Sequence, residues 1–177
     1  MVFRIEIGDN NRMEKPQTPD LSIRPIRLED KTEAKALILE GLKEHWGSID
    51  PQWNPDLDDI TASYAGGFFL VATVGDRIVA TGALVPRDGG VAEIVRMSVA
   101  RDLRRKGIGS AVLRRLLDDA KSAGYRKVIL ETTSIWEEAI AFYNKHGFRV
   151  THIRAGDTYF AIDLPEPDAA AQTPLRR

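Results

Sequence analysis

The sequence predicts one α/β (α+β) domain, built on a mixed, mostly antiparallel sheet of about six or seven strands. Three observations indicate this class. Short β-rich apolar runs alternate with segments of helical period between residues 21 and 164. Glycine-containing turns join neighbouring runs, as in β-hairpins. A chain of 177 residues suits a single core, and no internal repeat divides it.

Composition excludes several classes of function. The 25 basic residues nearly balance the 26 acidic ones, so no net field favours nucleic acid or an acidic membrane surface as a partner. The absence of cysteine excludes disulfides, thiolate zinc sites and a cysteine nucleophile. The start of the chain has no signal-peptide core, and no run of 18 apolar residues occurs. We therefore expect a cytoplasmic protein.

The ends of the chain differ from its middle. Residues 9–20 and the tail "PEPDAAAQTPLRR" are rich in proline and polar residues without periodicity. We predict a loosely ordered arm over residues 1–20, in which "VFRIEI" could add a short strand, a single domain over 21–164 and a flexible tail over 165–177.

The first half of the domain begins with a strand in "LSIRPIRL". Asp30 and Glu33 resemble a helix-opening capping pair, and the apolar spacing that follows predicts an amphipathic helix over 31–45. Residues 46–59, "WGSIDPQWNPDLDD", contain two prolines, two tryptophans and four aspartates, which is typical of a surface loop. A lid function for this loop is left open.

The remaining elements follow in order. "FFLVATVGDRIVATGALV" reads as a hairpin, and "VAEIVRMSV" as a third strand after the turn "RDGG". A helix is expected from Gly107 to a C-cap at Gly124. "KVILET" predicts a buried strand, and Ser134 with Glu137 a capping box for a helix that ends at Gly147. "FRVTHI" and "TYFAIDL" close the sheet as a hairpin.

The stretch "RRKGIGS", residues 104–110, places three cations and two glycines before a helix. Free backbone N–H groups and the helix dipole make such an end attractive to anions, and glycines allow close approach. Neither a P-loop nor a dinucleotide fingerprint fits this spacing. The alternative is a tight turn beside a solvated basic loop.

The motif Arg104-x-x-Gly107-x-Gly109, preceded by "VRMSV" and followed by "AIAFYNKHGF", resembles the GNAT superfamily of acyl-CoA-dependent N-acetyltransferases. The order of elements from about residue 21 to about residue 164 also matches that fold, which has helices on both faces of the sheet. The resemblance implies acetyl-CoA as co-substrate and no metal. His45, His146 and His152 lack metal-ligand spacing.

The resemblance implies a specific cofactor site. Backbone N–H groups of the arginine-glycine loop cradle the coenzyme A pyrophosphate, and the pantetheine arm pairs with the end of the fourth strand. The implied binding residues are Met97, Ser98, Val99, Arg104, Arg105, Lys106, Gly107, Ile108, Gly109, Ser110, Thr133 and Tyr143. The usual pantetheine-contacting asparagine is replaced by Trp136, so Thr133 or Ser134 could take over that contact.

Three groups are candidates for catalysis. The backbone N–H of Val99 could polarise the thioester carbonyl. Tyr143 matches the family's general acid toward the sulfur, with a packed core tyrosine as the alternative. Glu93 shares a strand face with Val95, Met97 and Val99 unless a bulge intervenes, so it could act as base, or else pair with a cation such as Arg96.

The acceptor is the least specified part. The first helix and the following loop usually form its site, so the candidates are His45, Trp46, Trp53, Asp50, Asp56, Asp58 and Asp59. We expect a small primary amine or amino acid, with a protein N-terminus or lysine as the second enzymatic hypothesis. A non-catalytic coenzyme A sensor is the alternative class. No nucleic acid or membrane partner is expected, and a homodimer is left open.

Overall fold

The structure, a computed structural model, describes residues 21–165. The predicted arm over 1–20, with its strand in "VFRIEI", and the tail beyond residue 165 lie outside this range. The part described contains one sheet of seven strands in the order β1-β2-β3-β4-β5-β7-β6. The strands are β1 Leu21–Pro25, β2 Phe68–Val74, β3 Arg77–Arg87, β4 Val91–Val99, β5 Lys127–Thr133, β6 Arg149–Arg154 and β7 Asp157–Asp163. Only β4 and β5 pair in parallel, which confirms the predicted mixed, mostly antiparallel sheet.

Helices cover the sheet on both faces. They are α1 Lys31–Trp46, α2 Ile60–Ser63, α3 Ile108–Ser122 and α4 Glu137–Lys145. The helical period of α3 buries Val112 and Leu116 completely in the core under one face, and α4 joins that cluster through Tyr143. The period of α1 buries Ala34 and Ile38 under the other face. Full burial of each such Val, Leu or Ile side chain stabilises the fold by about 1.5–3 kcal/mol. None of these helices is long and apolar enough to cross a membrane.

Both predicted capping pairs are wrong. The Asp30 carboxylate accepts from the Arg24 guanidinium and from the Arg27 backbone N–H, so it fastens a 3-10 turn before α1 instead of capping the helix. Glu33 accepts from the backbone N–H of Ile78 on β3 at 2.8 Å. The Ser134 hydroxyl lies 2.8 Å from that of Thr158, and Trp136 occupies the N-cap of α4. Glu33 and Ser134 thus bond elements distant in sequence, whereas Asp30 bonds residues three and six positions before it.

The segment predicted as a loop is more ordered than its composition indicates. It forms two 3-10 turns, Pro51–Trp53 and Pro55–Leu57, and leads into α2. Leu57 and Ile60 are 2% and 0% exposed, because both pack into the core beneath α1. The segment is therefore packed onto the domain, which does not support the lid function.

A β-bulge interrupts β4. Ala83 pairs with Val95, whereas Thr81 pairs with Ser98, so Arg96 and Met97 together lie opposite the single residue Gly82. A Cβ at Gly82 would fall 2.7 Å from the Met97 Sδ and 2.9 Å from Leu116 Cδ1 and Val112 Cγ1, so these packed side chains would have to move. Beyond the bulge the side chains of β4 exchange faces of the sheet.

The sheet also opens between β4 and β5. These strands pair only over Val91–Glu93 with Lys127–Ile129. Their carboxyl-terminal halves separate, which leaves the outer edge of β4 from residue 94 to residue 99 without a strand partner on that side. This opening between β4 and β5 provides the space for the candidate site.

Candidate active site

A cavity of about 1060 Å³ occupies the opening between β4 and β5. Its walls come from both strands, α1, the start of α3 and α4. Ten of the twelve predicted cofactor-binding residues line it: Met97, Ser98, Val99, Arg104, Arg105, Gly107, Gly109, Ser110, Thr133 and Tyr143. Of the other two, Lys106 is exposed and Ile108 is buried in the core. The tertiary structure thus collects most of the predicted set around one space.

The start of α3 presents free backbone donors to this cavity. Gly107 is the N-cap with a left-handed φ of 84°, and the first helical bond runs from the Ala111 N–H to the Gly107 carbonyl at 3.0 Å. Within residues 21–165, the N–H groups of residues 105–110 have no hydrogen-bond acceptor. The helix dipole adds positive potential at the same place. This end of the cavity is therefore suited to an anion.

Arg104 is engaged by the protein itself. Its Nε donates to the Val99 carbonyl at 3.0 Å, and its Nη1 lies 2.7 Å from the Glu44 carboxylate on α1. Both contacts hold the side chain between the last turn of α1 and the end of β4. Arg104 thus shapes the loop, while Arg105 remains a cation that lines the cavity.

The amide of Val99 points into the opening. Val99 lies opposite Ala80 on β3, and the Ala100 N–H donates to the Val79 carbonyl at 2.8 Å. This pattern makes Val99 and Ala80 a pair without mutual hydrogen bonds, in which backbone groups point away from the partner strand. The Val99 N–H is therefore directed toward the space between β4 and β5.

Tyr143 combines a packed ring with a hydroxyl that has no partner among the described residues. Its ring packs near Phe142, Phe148 and Phe160, and the residue is 8% exposed. The hydroxyl makes no hydrogen bond to any residue that the structure describes, although the side chain lines the cavity. Burial raises the pKa of Tyr143 above its usual value. The phenol therefore keeps its proton at neutral pH.

Glu93 lies away from these groups. The bulge is the exception for which the expectation allowed: it reverses the alternation of β4, so Glu93 shares a face with Val95 but not with Met97 or Val99. Its carboxylate accepts from the Arg87 Nε at 2.7 Å. Glu93 is not among the residues that line the cavity. The alternative of pairing with a cation fits the structure, although the cation is Arg87.

Sequence reasoning missed Glu131 on β5, which lines the cavity. Val128 and Leu130 point into the core beneath α3, so strand alternation places Glu131 on the opposite face, toward α1. Its neighbour on β7 is Tyr159, whose pKa is raised by the nearby Glu131 carboxylate. The alternation of "KVILET" could have indicated this orientation, but only with knowledge of the cavity.

The predicted acceptor residues divide into two groups. Trp46 lines the cavity, and His45 stacks on Trp136, another lining residue, with ring centroids 4.2 Å apart. Trp53 is 75% exposed and lies outside the cavity lining.

The four aspartates of the loop are already bound. Asp50 accepts from the Gln52 N–H, Asp56 from Arg96, Asp58 from Lys35, and Asp59 from Lys31. Asp56, Asp58 and Asp59 pair with cations of the protein itself, whereas Asp50 accepts only a backbone N–H, and none of the four lines the cavity. Among the described residues, no three His, Cys, Asp or Glu side chains are arranged to hold a metal ion.

Comparison with known proteins shows the family. The model of the acetyltransferase (GNAT) family matches residues 37–148. Human N-acetyltransferase 8 is 33% identical over 129 residues, which cover 68% of this chain and 55% of that protein. The IAA acetyltransferase of Azospirillum brasilense is 33% identical over 133 residues, or 73% of this chain and 85% of that protein. The chain spans about half the length of its human N-acetyltransferase 8 and 8B relatives.

Solved structures show the same fold. A GNAT-family acetyltransferase of Staphylococcus aureus Mu50 superposes with a TM-score of 0.76 at 24% identity, over 82% of this chain and all of that one. The PaiA N-acetyltransferase of Thermoplasma acidophilum, solved in complex with coenzyme A, gives a TM-score of 0.72 at 19% identity, over 82% and 99% of the two chains. By its family match and its fold, this chain belongs to the GNAT family of acetyltransferases.

Proposed function

We propose that this protein transfers the acetyl group of acetyl-CoA to the primary amine of a small molecule or amino acid, directly within a ternary complex. One observation carries the proposal: the free N–H groups of residues 105–110 and the open edge of β4 border the same cavity. The free N–H groups can bind a diphosphate, and the open edge of β4 can pair with a chain of amides. The coenzyme A complex of the PaiA protein and the IAA acetyltransferase relative support this reading.

The chain's own groups would act as follows. The N–H groups from Arg105 to Ser110 bind the diphosphate, and the backbone of Met97–Val99 pairs with the pantetheine amides. The Val99 N–H stabilises negative charge on the thioester oxygen, a contribution of about 3 kcal/mol for one such donor. As the amine nitrogen bonds the carbonyl carbon and the C–S bond breaks, Tyr143 donates its proton to the departing sulfur.

The acceptor amine must also lose a proton. Glu131 is better placed than Glu93 to take it, directly or through water, because Glu131 lines the cavity and Glu93 is bound to Arg87. We expect Glu131→Gln to lower the rate about 10²-fold near neutral pH and to recover partly at high pH, where more acceptor is already deprotonated. Glu93→Gln is the matched control. A pH–rate profile of Glu131→Gln parallel to the parent's would contradict the role.

The proposal is tested by thiol release from acetyl-CoA with a panel of small amines, amino acids and peptides, together with calorimetric binding of acetyl-CoA. Turnover with small amines supports it. Turnover with peptides alone would indicate that the acceptor is a protein N-terminus or lysine instead of a small amine. Binding without turnover would indicate a sensor module, and the absence of binding would refute the cofactor site.

A further inference from the structure

Arg96 connects the bulge of β4 to the segment that follows α1. Its Nε donates to Asp56 Oδ2 at 2.9 Å and its Nη1 to Asn54 Oδ1 at 2.9 Å, while Nη2 donates to Asp56 Oδ1. The Tyr64 hydroxyl donates to the same Asp56 carboxylate. Residues 54–64, here called the tether segment, are thus fastened to β4 through one guanidinium.

The bulge needs such support because its backbone is unfavourable. Arg96 has a φ of 56°, which residues with a Cβ rarely adopt. The fully buried Thr81 hydroxyl donates to the Arg96 carbonyl at 2.8 Å. Side chain and main chain of Arg96 are therefore both held, one by the tether segment and the other by β3.

The ion pair keeps its charge at neutral pH. Burial alone would raise the pKa of the Asp56 carboxyl, but hydrogen bonds from Arg96 and Tyr64 outweigh burial, so the pKa lies below its usual value. Burial and the Asp56 carboxylate raise the pKa of Tyr64 to about 12, so its hydroxyl remains a donor. The forked guanidinium fits a carboxylate in a way that lysine would not.

The bulge decides where the Val99 N–H points. Continuing the register of Leu84 with Ile94 would place Val99 opposite Val79, whose carbonyl would then accept from the Val99 N–H. With the bulge, the Ala100 N–H occupies that carbonyl instead. The extra residue in β4 therefore releases the amide of Val99 from the sheet.

From this geometry we infer that the Arg96–Asp56 pair is a positioning device, which holds the bulge so that the Val99 N–H faces the acyl carbonyl and which couples the tether segment to the bulge. The inference rests on the proposed function. Arg96 and Asp56 act through Val99 and contribute no proton.

The test compares Asp56→Asn with Lys35→Gln. The second variant breaks the 2.7 Å ion pair of Lys35 with Asp58 and so loosens the same tether segment without touching β4. We expect Asp56→Asn to lower kcat about tenfold and to change the Kd of acetyl-CoA about twofold or less. It should also shift the amide ¹H–¹⁵N resonances of Ser98 and Val99, whereas Lys35→Gln should leave kcat and both resonances unchanged.

Tyr64→Phe removes one hydrogen bond to Asp56 and keeps the ion pair, so it should move the same quantities less and in the same direction. It serves as the decisive variant if Asp56→Asn does not fold. Unchanged kcat and unchanged resonances in a folded variant would overturn the inference, as would an equal loss of kcat in Lys35→Gln. If the parent protein shows no turnover, the proposed function fails. The shifts of the Ser98 and Val99 resonances in the variants then test by themselves whether the Arg96–Asp56 pair is coupled to the Val99 N–H.

Discussion

Gly109→Ala gives a direct test of the anion site at the start of α3. Gly109 is in helical backbone, and a Cβ there would lie 3.4 Å from Val99 Cγ2 and 3.7 Å from the Phe142 ring, which are ordinary contacts. The variant should therefore fold. All three residues line the cavity, so the added methyl lies in the path of a phosphate toward the N–H groups.

The expected loss of affinity follows from one charge-assisted hydrogen bond, which contributes about 1.5–3 kcal/mol. The Kd of acetyl-CoA should accordingly rise about ten- to a hundredfold, measured by isothermal titration calorimetry beside a thermal melt. Gly66→Ala is the matched control, because nothing lies within 4 Å of its Cβ and it is not a lining residue. Unchanged affinity in folded Gly109→Ala, or an equal loss in Gly66→Ala, would refute the assignment.

Three further results are expected. Tyr143→Phe should lower kcat about 10²-fold in steady-state assays with little change in acetyl-CoA affinity, and full activity would assign Tyr143 to the core. Gly82→Ala should lower stability by about 1–3 kcal/mol in urea denaturation, since its Cβ would fall 2.7 Å from the Met97 Sδ; unchanged stability would contradict the tight bulge. Hydrogen bonding by Lys31 lowers the pKa of Asp59 from 3.8 to about 2, so this carboxylate stabilises the fold above pH 3.8 and its contribution is lost as the pH falls toward 2. The stability difference between the parent and Asp59→Asn should therefore be largest near pH 6 and shrink toward pH 2, and a difference independent of pH would exclude this source.

Local chemistry determined most of the fold. The hairpin of β2 and β3 turns at Gly75–Asp76, and α3 ends before Gly124 in its left-handed conformation, both close to the predicted positions. Hydrophobic periodicity and turn residues act within about the length of one helix or strand, so neighbouring residues in the sequence are enough to predict their effect. The loop over 104–110 was predictable for the same reason, since its cations, its glycines and the helix they precede are contiguous.

Contacts between distant segments decided the rest. The bulge at Arg96 depends on Gly82 and Thr81 of another strand, and it places Glu93 on the face of the sheet opposite Met97 and Val99.

The predicted caps failed for a related reason. Glu33 and Ser134 pair with Ile78 and Thr158 of distant strands, while Asp30 pairs with Arg24 and Arg27 earlier in the chain.

Sequence by itself thus determined the order of the elements and the glycine-containing loop over 104–110, for which we propose anion binding. Only the tertiary structure decided which face of β4 each side chain occupies and that the carboxylates of Glu131, Glu138 and Asp157 border the cavity. The physical reason is that strand register and ion pairing are set by the partner strand and the packed neighbours, which lie far away along the chain.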